Sequence, residues 1–337
     1  MTGPREGRRR RTLAVLALPV VLGVVLTACT VDDPDGADVA AVPALLVASG
    51  PEPEAELLAH TVVALLAQVD VVAEPLLLAD GRSVRQAIEL GDAELAVVYS
   101  GEEWLTRLGR ADPPTDPLEG LEVLADADLA RGLRWLLPDP ELAGPGVPAN
   151  ATFAFFVAGP PTVHADLRSL SELSLRLSEL PELSLCVDPG FAQGSDGLAA
   201  LLSTYSVRRD RPFVAADPVE AVRRVRVGDC VAGLSSATDG EAWRAGLRPL
   251  ADDLRFFPAF VPVPLVRATT LEGSPAIEGA LRPLVDGLST AVLGRANARI
   301  AAGEAPEVVA GELAEDLAEE LAARLLGTAL TDVAPAP

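Results

Sequence analysis

The chain has 337 residues and a formal net charge of −22 at pH 7. That acidity argues against nucleic acid as a partner and against electrostatic attachment to anionic lipid. Its basic residues are all Arg, and with 49% hydrophobic but only 4% aromatic residues the core must be built largely from Ala, Leu and Val.

The first residues set the destination. REGRRRR (5–11) is a cationic stretch, and LAVLALPVVLGVVLTA (13–28) is an apolar run shorter than the roughly 20 residues a bilayer span needs. It reads as the h-region of a signal peptide covering 1–28. The run ends in LTAC, which resembles the lipobox of bacterial lipoproteins, whose cysteine is diacylated and becomes the new N-terminus. Cys29 is therefore the expected lipidation site. The protein is expected to be exported and held at the extracytoplasmic face of the cell membrane by a lipid anchor, without spanning it. An ordinary signal peptide with a chance cysteine, or an uncleaved anchor, is the competing reading. Residues 29–42, acidic and Pro/Gly-containing, read as a flexible tether.

Beyond the tether the chain exceeds the size at which one core stops growing, so two lobes are expected. PALLVASG (43–50) reads as a strand and turn. In 54–69, Leu57, Leu58, Val62, Leu65 and Leu66 recur at helical spacing. VVAEPLLLA (71–79) is extended. Ser83 and Gly91 read as the N-cap and C-cap of a short helix, and AELAVVYSG (93–101) as the next strand. This alternation indicates a parallel α/β sheet. A Pro/Gly-rich stretch, 137–151, breaks the pattern. Strand-like TFAFFVAG, helix-like 166–180, strand-like LSLCVDPGF, two more helices and strand-like CVAGLSS (230–236) then follow. FFPAFVPVPLVR (256–267) leaves by a Pro-marked crossing, and the rest is mostly helical up to a tail, 329–337, expected to be disordered.

Residues 84–101 and 219–236 echo one another: helix, Gly-Asp break, short apolar strand, hydroxyls at the strand's carboxyl end. Ligands of open α/β sheets bind outside such ends. Two lobes face to face would set Tyr99 and Ser100 opposite Ser235 and Ser236, the geometry of a binding protein that closes on a solute by hinge motion.

Catalysis finds little support. His60 and His164 read as structural or exposed, no His/Cys cluster has metal-ligand spacing, and no nucleophile elbow, P-loop or dinucleotide fingerprint occurs. No enzyme activity, cofactor or metal is expected. Asp252 and Asp253, adjacent in sequence, read as a turn rather than an acid pair. Cys186 and Cys230 fall in predicted strands, either as a disulfide or as two buried thiols.

From about 44 to 326 the chain resembles the substrate-binding proteins of glycine betaine/choline (osmoprotectant) ABC transporters. The landmarks come in the family's order: ALLVASG, SVRQAIELGDAELAVVYSG, LRWLLPDP with PANATFAFFV, GFAQGSDGLAALLSTY, ATDGEAWRAGLRPLADDLRFFPAFVPVPLVR and GEAPEVVAGEL. The resemblance implies a two-lobed periplasmic-binding-protein-like (type II) α/β fold with two crossings, lobe 1 being 43–148 with 265–328 and lobe 2 being 149–264. It also implies capture of a small polar or quaternary-ammonium solute by cleft closure, with an ABC permease and its ATPase subunit as partners. Trimethylammonium ligands of such proteins sit in an aromatic cage. Tyr99 matches a family tyrosine and Ser100 its threonine. Phe153 stands where the second-lobe strand begins with a tyrosine, and Phe191 keeps the phenylalanine before the Asp-Gly pair. The family's arginine falls on Gly194, and the aromatic before Thr-Asp-Gly falls on Ser236. Polar first-loop positions fall around Gly50, Pro51, Glu54 and Ala55. The expected ligand-binding set is thus Tyr99, Ser100, Phe153, Phe191, Ser236 and Thr238. The same fold with a degenerate pocket, taking another solute or serving a sensory or structural role, is the alternative.

Overall fold

Two five-stranded sheets are laid down in succession, and the chain visits the first of them twice. The computed structural model describes residues 43–78, 83–144, 146–208 and 211–331. The expected signal segment, Cys29, the tether to residue 42 and tail residues 332–337 lie outside the described residues.

The first lobe opens with β1 (Leu45–Ser49), α1 (Pro53–Ala67), β2 (Ala73–Leu77), α2 (Val84–Leu90), β3 (Leu95–Tyr99), α3 (Ser100–Thr106), α4 (Leu121–Leu129) and β4 (Leu133–Trp135). The chain then crosses to β5 (Phe153–Ala158), α5 (Leu170–Glu179), β6 (Leu185–Val187), α6 (Pro189–Gln193), α7 (Leu198–Thr204), β7 (Phe213–Ala215), α8 (Pro218–Val227), β8 (Ala232–Ser236), α9 (Gly240–Arg244) and β9 (Leu247–Pro249). It returns through β10 (Pro262–Arg267) and ends in α10 (Ala268–Gly273), α11 (Ala276–Gly287), α12 (Thr290–Ala301) and α13 (Pro306–Thr331).

The strand orders are β2-β1-β3-β10-β4 and β7-β6-β8-β5-β9. In each sheet the strand reached by a crossing, β10 or β5, runs antiparallel to both neighbours. The two-lobed α/β plan read from the sequence is the plan observed. The return to the first sheet starts at Pro262, ahead of the 265 boundary expected.

Local chemistry explains the elements that place the site. In α1, Leu57, Leu58, Val62, Leu65 and Leu66 are all buried, as their spacing predicts, and Pro53 starts the helix where its missing N–H is harmless. In α2 the Ser83 side chain accepts from the Gln86 N–H and the Gln86 side chain accepts from the Ser83 N–H, a reciprocal cap. Gly91 ends the helix at φ 84°, a conformation glycine takes without a Cβ clash. The three-residue strands β4, β7 and β9 escaped the sequence reading, whereas the equally short β6 was read because it lies in the longer apolar run LSLCV.

Three features tie the lobes together. The two crossings run side by side: Ala151 N–H donates to the Phe260 carbonyl at 2.9 Å, and Phe260 N–H donates to Asn150 Oδ1 at 2.7 Å. The Thr152 hydroxyl adds a bond to the Pro258 carbonyl at 2.5 Å. Helix α12 forms the third link. Its Leu293 and Ala296 join the core of the first lobe, while its Gly294 lies against the Trp243 indole of α9 and the Asn297 carbonyl lies against Gly240. A Cβ at either glycine would collide, so both are required by close approach. In the second lobe Cys186 and Cys230 are bonded, with Cα atoms 5.8 Å apart, and both are buried. Asp252 and Asp253 do point apart: Asp252 accepts from the Tyr205 hydroxyl and the Phe257 N–H, Asp253 from the Ser171 N–H.

Candidate ligand-binding cleft

The start of α1 and the carboxyl end of β3 in the first lobe and the carboxyl end of β8 in the second border one cavity of about 530 Å³. Glu52, Glu54, Tyr99 and Glu102 line it from the first lobe, Phe260 from the return crossing and Ser236 from the second lobe. Glu54 and Ser236 also line an adjoining cavity of about 470 Å³, with Thr238 and Asn297. These volumes suit a small-molecule site.

Glu54 is the hub. It sits in the first turn of α1, where a carboxylate favours the helix dipole. Its Oε1 accepts from the Tyr99 hydroxyl at 2.6 Å, and its Oε2 accepts from Asn297 Nδ2 at 2.5 Å. The same Nδ2 donates to the Thr238 carbonyl at 2.9 Å, so Asn297 joins the first-lobe acid to the second-lobe turn. Burial pushes the Tyr99 hydroxyl well above its usual range, and the charges of Glu54, Glu102 and Glu52 push it further. Tyr99 therefore stays a neutral donor at any physiological pH. No Arg lines this cavity among the described residues, but a larger one of about 710 Å³ that shares Glu52, Tyr99 and Glu102 with it is lined by Arg85, Arg107 and Arg131.

The six residues expected to bind ligand are distributed unevenly. Tyr99 and Ser236 face the same cavity from opposite lobes. Thr238 lines the adjoining one, its hydroxyl 3.1 Å from that of Ser236. Ser100 is buried, and its hydroxyl accepts from Val261 N–H at 2.9 Å, which turns it toward the crossing rather than the cavity. Phe153 is half-exposed at the start of β5, directly opposite Ser236 in the ladder. Directly opposed residues share a sheet face. Its ring lies 6.0 Å from Phe191 and 6.1 Å from Phe257, and Phe191 lies 5.9 Å from Phe257. This aromatic triangle, at the start of β5 beside the carboxyl end of β8, is not part of the cavity wall. Gly194, where the resemblance expects an arginine, is the C-cap of α6.

Sequence reasoning named Glu54 only as a first-loop position and did not name Glu102 or Asn297. The usable signal for the acids was Glu-Pro-Glu ahead of an apolar helix. Asn297 had none, since it meets Glu54 across 243 residues of chain. Among the described residues no group of His, Cys, Asp or Glu could hold a metal ion, and no helix is long and apolar enough to cross a membrane.

Comparison with known proteins agrees with this architecture. A glycine-betaine-binding protein of Pseudomonas aeruginosa is 26% identical over 231 residues, covering 64% of this chain and 69% of that protein. The glycine betaine-binding protein YehZ of Escherichia coli is 27% identical over 226 residues, covering 65% and 72%. Among solved structures, apo YehZ from E. coli superposes with a TM-score of 0.71 at 24% identity, covering 83% of this chain and 99% of that one. A glycine betaine/carnitine/choline ABC transporter structure gives 0.69 at 20% identity, covering 81% and 98%; at these identities the two structures speak for the fold alone. Residues 44–316 match the model of the substrate binding domain of ABC-type glycine betaine transport systems, and the chain belongs to that family.

Proposed function

We propose that the protein is a lipid-anchored solute receptor that captures a small polar or quaternary-ammonium solute between its lobes and delivers it to an ABC permease driven by an ATPase subunit. The observation that carries this reading is the shared cavity, with Tyr99 on one wall and Ser236 on the other, at the strand ends where open sheets place their ligands. Tyr99 and Phe260 are the aromatic residues that line the cavity and so the ones available to a cation there. Phe153, at the start of β5, and Phe191, on α6 against it, stand beside the carboxyl end of β8, where closure would bring them toward the ligand. Ser236 and Thr238 supply hydroxyls, and Ser100 holds the crossing about which the lobes turn. Lipidation at Cys29 would keep this domain beside its permease.

Titration calorimetry with glycine betaine, choline, carnitine and proline betaine tests the reading directly. Binding of at least one is expected, and silence across the panel would remove the quaternary-amine assignment. Tyr99→Ala is expected to weaken that binding by about tenfold, the scale of one lost cation–π contact with its hydrogen bond. An unchanged affinity would take Tyr99 out of the site.

A further inference from the structure

One side chain holds both walls of the cleft. Asn297, on α12, is nine-tenths buried. Its backbone is pinned to the second lobe. A Cβ at Gly240 of α9 would stand 2.4 Å from the Asn297 carbonyl oxygen, and one at Gly294 would stand 2.2 Å from the Trp243 indole nitrogen. Contacts that close leave the helix no room to slide on α9. The carboxamide Nδ2 then donates in two directions, to the Thr238 carbonyl in the second lobe at 2.9 Å and to Glu54 Oε2 in the first at 2.5 Å. The reverse orientation would set the amide oxygen against a carbonyl and a carboxylate, so the partners fix which way it points.

Both bonds lead on to residues that line the interlobe cavity. Glu54 accepts at its other oxygen from the Tyr99 hydroxyl at 2.6 Å. The Thr238 N–H and hydroxyl lie 3.3 and 3.1 Å from the Ser236 hydroxyl. Tyr99, Glu54, Asn297, Thr238 and Ser236 therefore form one chain from wall to wall. Its Glu54 link is charge-assisted, hence stronger than a bond between neutral groups. The ion pair of Asp116 with Arg255 also joins the lobes, but it is open to solvent and correspondingly weak.

We propose that Asn297 is the positioning residue of the cleft: it holds Tyr99 and Ser236 at the separation the solute meets, so that the unliganded protein already populates the arrangement that binds. A receptor that populates its competent arrangement only in part loses apparent affinity in proportion. Asn297 acts through Glu54 and Thr238. The role in capture rests on the solute-receptor reading; the tie between the lobes does not. An asparagine that merely filled space between α12 and α9 could be replaced by an apolar side chain of its size.

Amide hydrogen exchange on the full chain in mild detergent tests the tie. Asn297→Leu keeps the volume and removes both donors. Exchange is expected to quicken about tenfold in the first two turns of α1 and in the turn 237–239 together, segments of different lobes, with the strands unchanged. Asn297→Asp sets a carboxylate against Glu54 and should do the same. Adding Glu54→Gln to it supplies an amide for that carboxylate to accept from. Exchange in α1 should then return toward the parent, while the turn, whose Thr238 carbonyl still has no donor, stays fast. Parent-like exchange in Asn297→Leu, or quickening in one lobe only, would overturn the proposal. So would a double variant as fast in α1 as Asn297→Asp, and that comparison decides alone if Asn297→Leu does not fold. Calorimetry with choline and glycine betaine reads the role in capture. Asn297→Leu is expected to weaken whichever binds the parent by about tenfold. Unchanged affinity would overturn that role. Binding of neither to the parent would overturn the quaternary-amine assignment, and the exchange pattern would then decide the proposal.

Discussion

The units α2–β3 and α8–β8 are one architectural piece used twice. Each helix is capped by a side-chain oxygen, from Ser83 or Asp217, and ends at a left-handed glycine, Gly91 at φ 84° or Gly228 at φ 83°. Each feeds the middle strand of its sheet. Counted from those glycines, the two units share little beyond the Gly-Asp pair, and three of the matching places bear on packing and on the cleft. Arg85 is buried where the second unit buries Val222, Ala93 stands where the second has Cys230, and Tyr99 stands where the second has Ser236. The backbone plan thus fixes caps and strand ends. It leaves open how each lobe is held together and what it offers the ligand.

The sharpest way to break the comparison is to remove what the first lobe has and the second lacks. Asp128 on α4 is fully buried and accepts four bonds: two from Arg85 at 3.2 and 2.8 Å, one from Arg107 at 3.0 Å and one from the Trp135 indole at 2.8 Å. Glu103 takes the remaining face of Arg85. Asp128→Ala is expected to destabilise the protein by about 3–5 kcal/mol, because it leaves Arg85 with only its Glu partners and takes the carboxylate from Arg107 and the acceptor from the buried Trp135 N–H. Chemical denaturation followed by tryptophan fluorescence measures it, and a loss under ~1 kcal/mol would show that the network is ornamental. Burial pushes the Asp128 carboxyl up, but bonds from Arg85, Trp135 and Arg107 outweigh it and hold the group below its usual range. A depressed carboxylate stabilises above its unfolded pKa and loses that contribution as pH falls through the folded value. Stability should therefore drop below about pH 4, where an unfolded aspartate titrates, and Asp128→Asn should flatten that limb. Glu103 has the opposite sign, since burial raises it despite Arg85. Its contribution is fullest at low pH and is lost as pH rises through its folded value, so Glu103→Gln should be milder than Asp128→Ala.

The next test falls on the second lobe. Its bridge joins residues 44 apart, and the first lobe folds the same strand order with Ala93 at the matching place. Removing the bridge should leave the fold and lower its stability. Replacing Cys186 and Cys230 together by Ala is expected to cost about 2–4 kcal/mol, mainly by freeing the unfolded chain. Thermal unfolding of the variant against the parent, each with and without reductant, checks it. A parent insensitive to reductant and equal to the variant would mean that the cysteines are free in solution.

These two tests also mark where sequence stopped being informative. The caps, the α1 stripe and the echo between 84–101 and 219–236 were legible because each depends on residues a turn or two apart. So was the pairing of Tyr99 with Ser236, once both were read as strand ends. The Arg85–Asp128–Trp135 network was not, because Arg85 reads as an ordinary charged residue of a surface helix until α4 and β4 are folded over it. Glu54, Thr238 and Asn297 come from three distant parts of the chain, and only the packing of α12 on α9 brings them together. Ser100 read as a ligand hydroxyl because it sits at a strand end. Its side chain is instead spent on the return crossing, a contact 161 residues away.

The finest comparison is between the two cap glycines. Both adopt left-handed backbone, so a Cβ at either position costs about 1–2 kcal/mol. Their surroundings differ. A Cβ at Gly228 would meet nothing within 4 Å, whereas one at Gly91 would stand 3.2 Å from Arg267 Nη1. That nitrogen donates to the Ile88 carbonyl at 2.8 Å and so ties the end of α2 to β10. Gly91→Ala must then either tolerate a tight contact or push Arg267 off its acceptor, which adds about 1 kcal/mol. Denaturant midpoints should rank Gly91→Ala below Gly228→Ala, with unchanged slopes. In an Arg267→Ala background the two glycines should become closer to equivalent, because the contact a Cβ at Gly91 meets first has been removed. Equal losses in the parent background would mean that the guanidinium gives way freely, and that the two units are matched in their surroundings as closely as in their backbone.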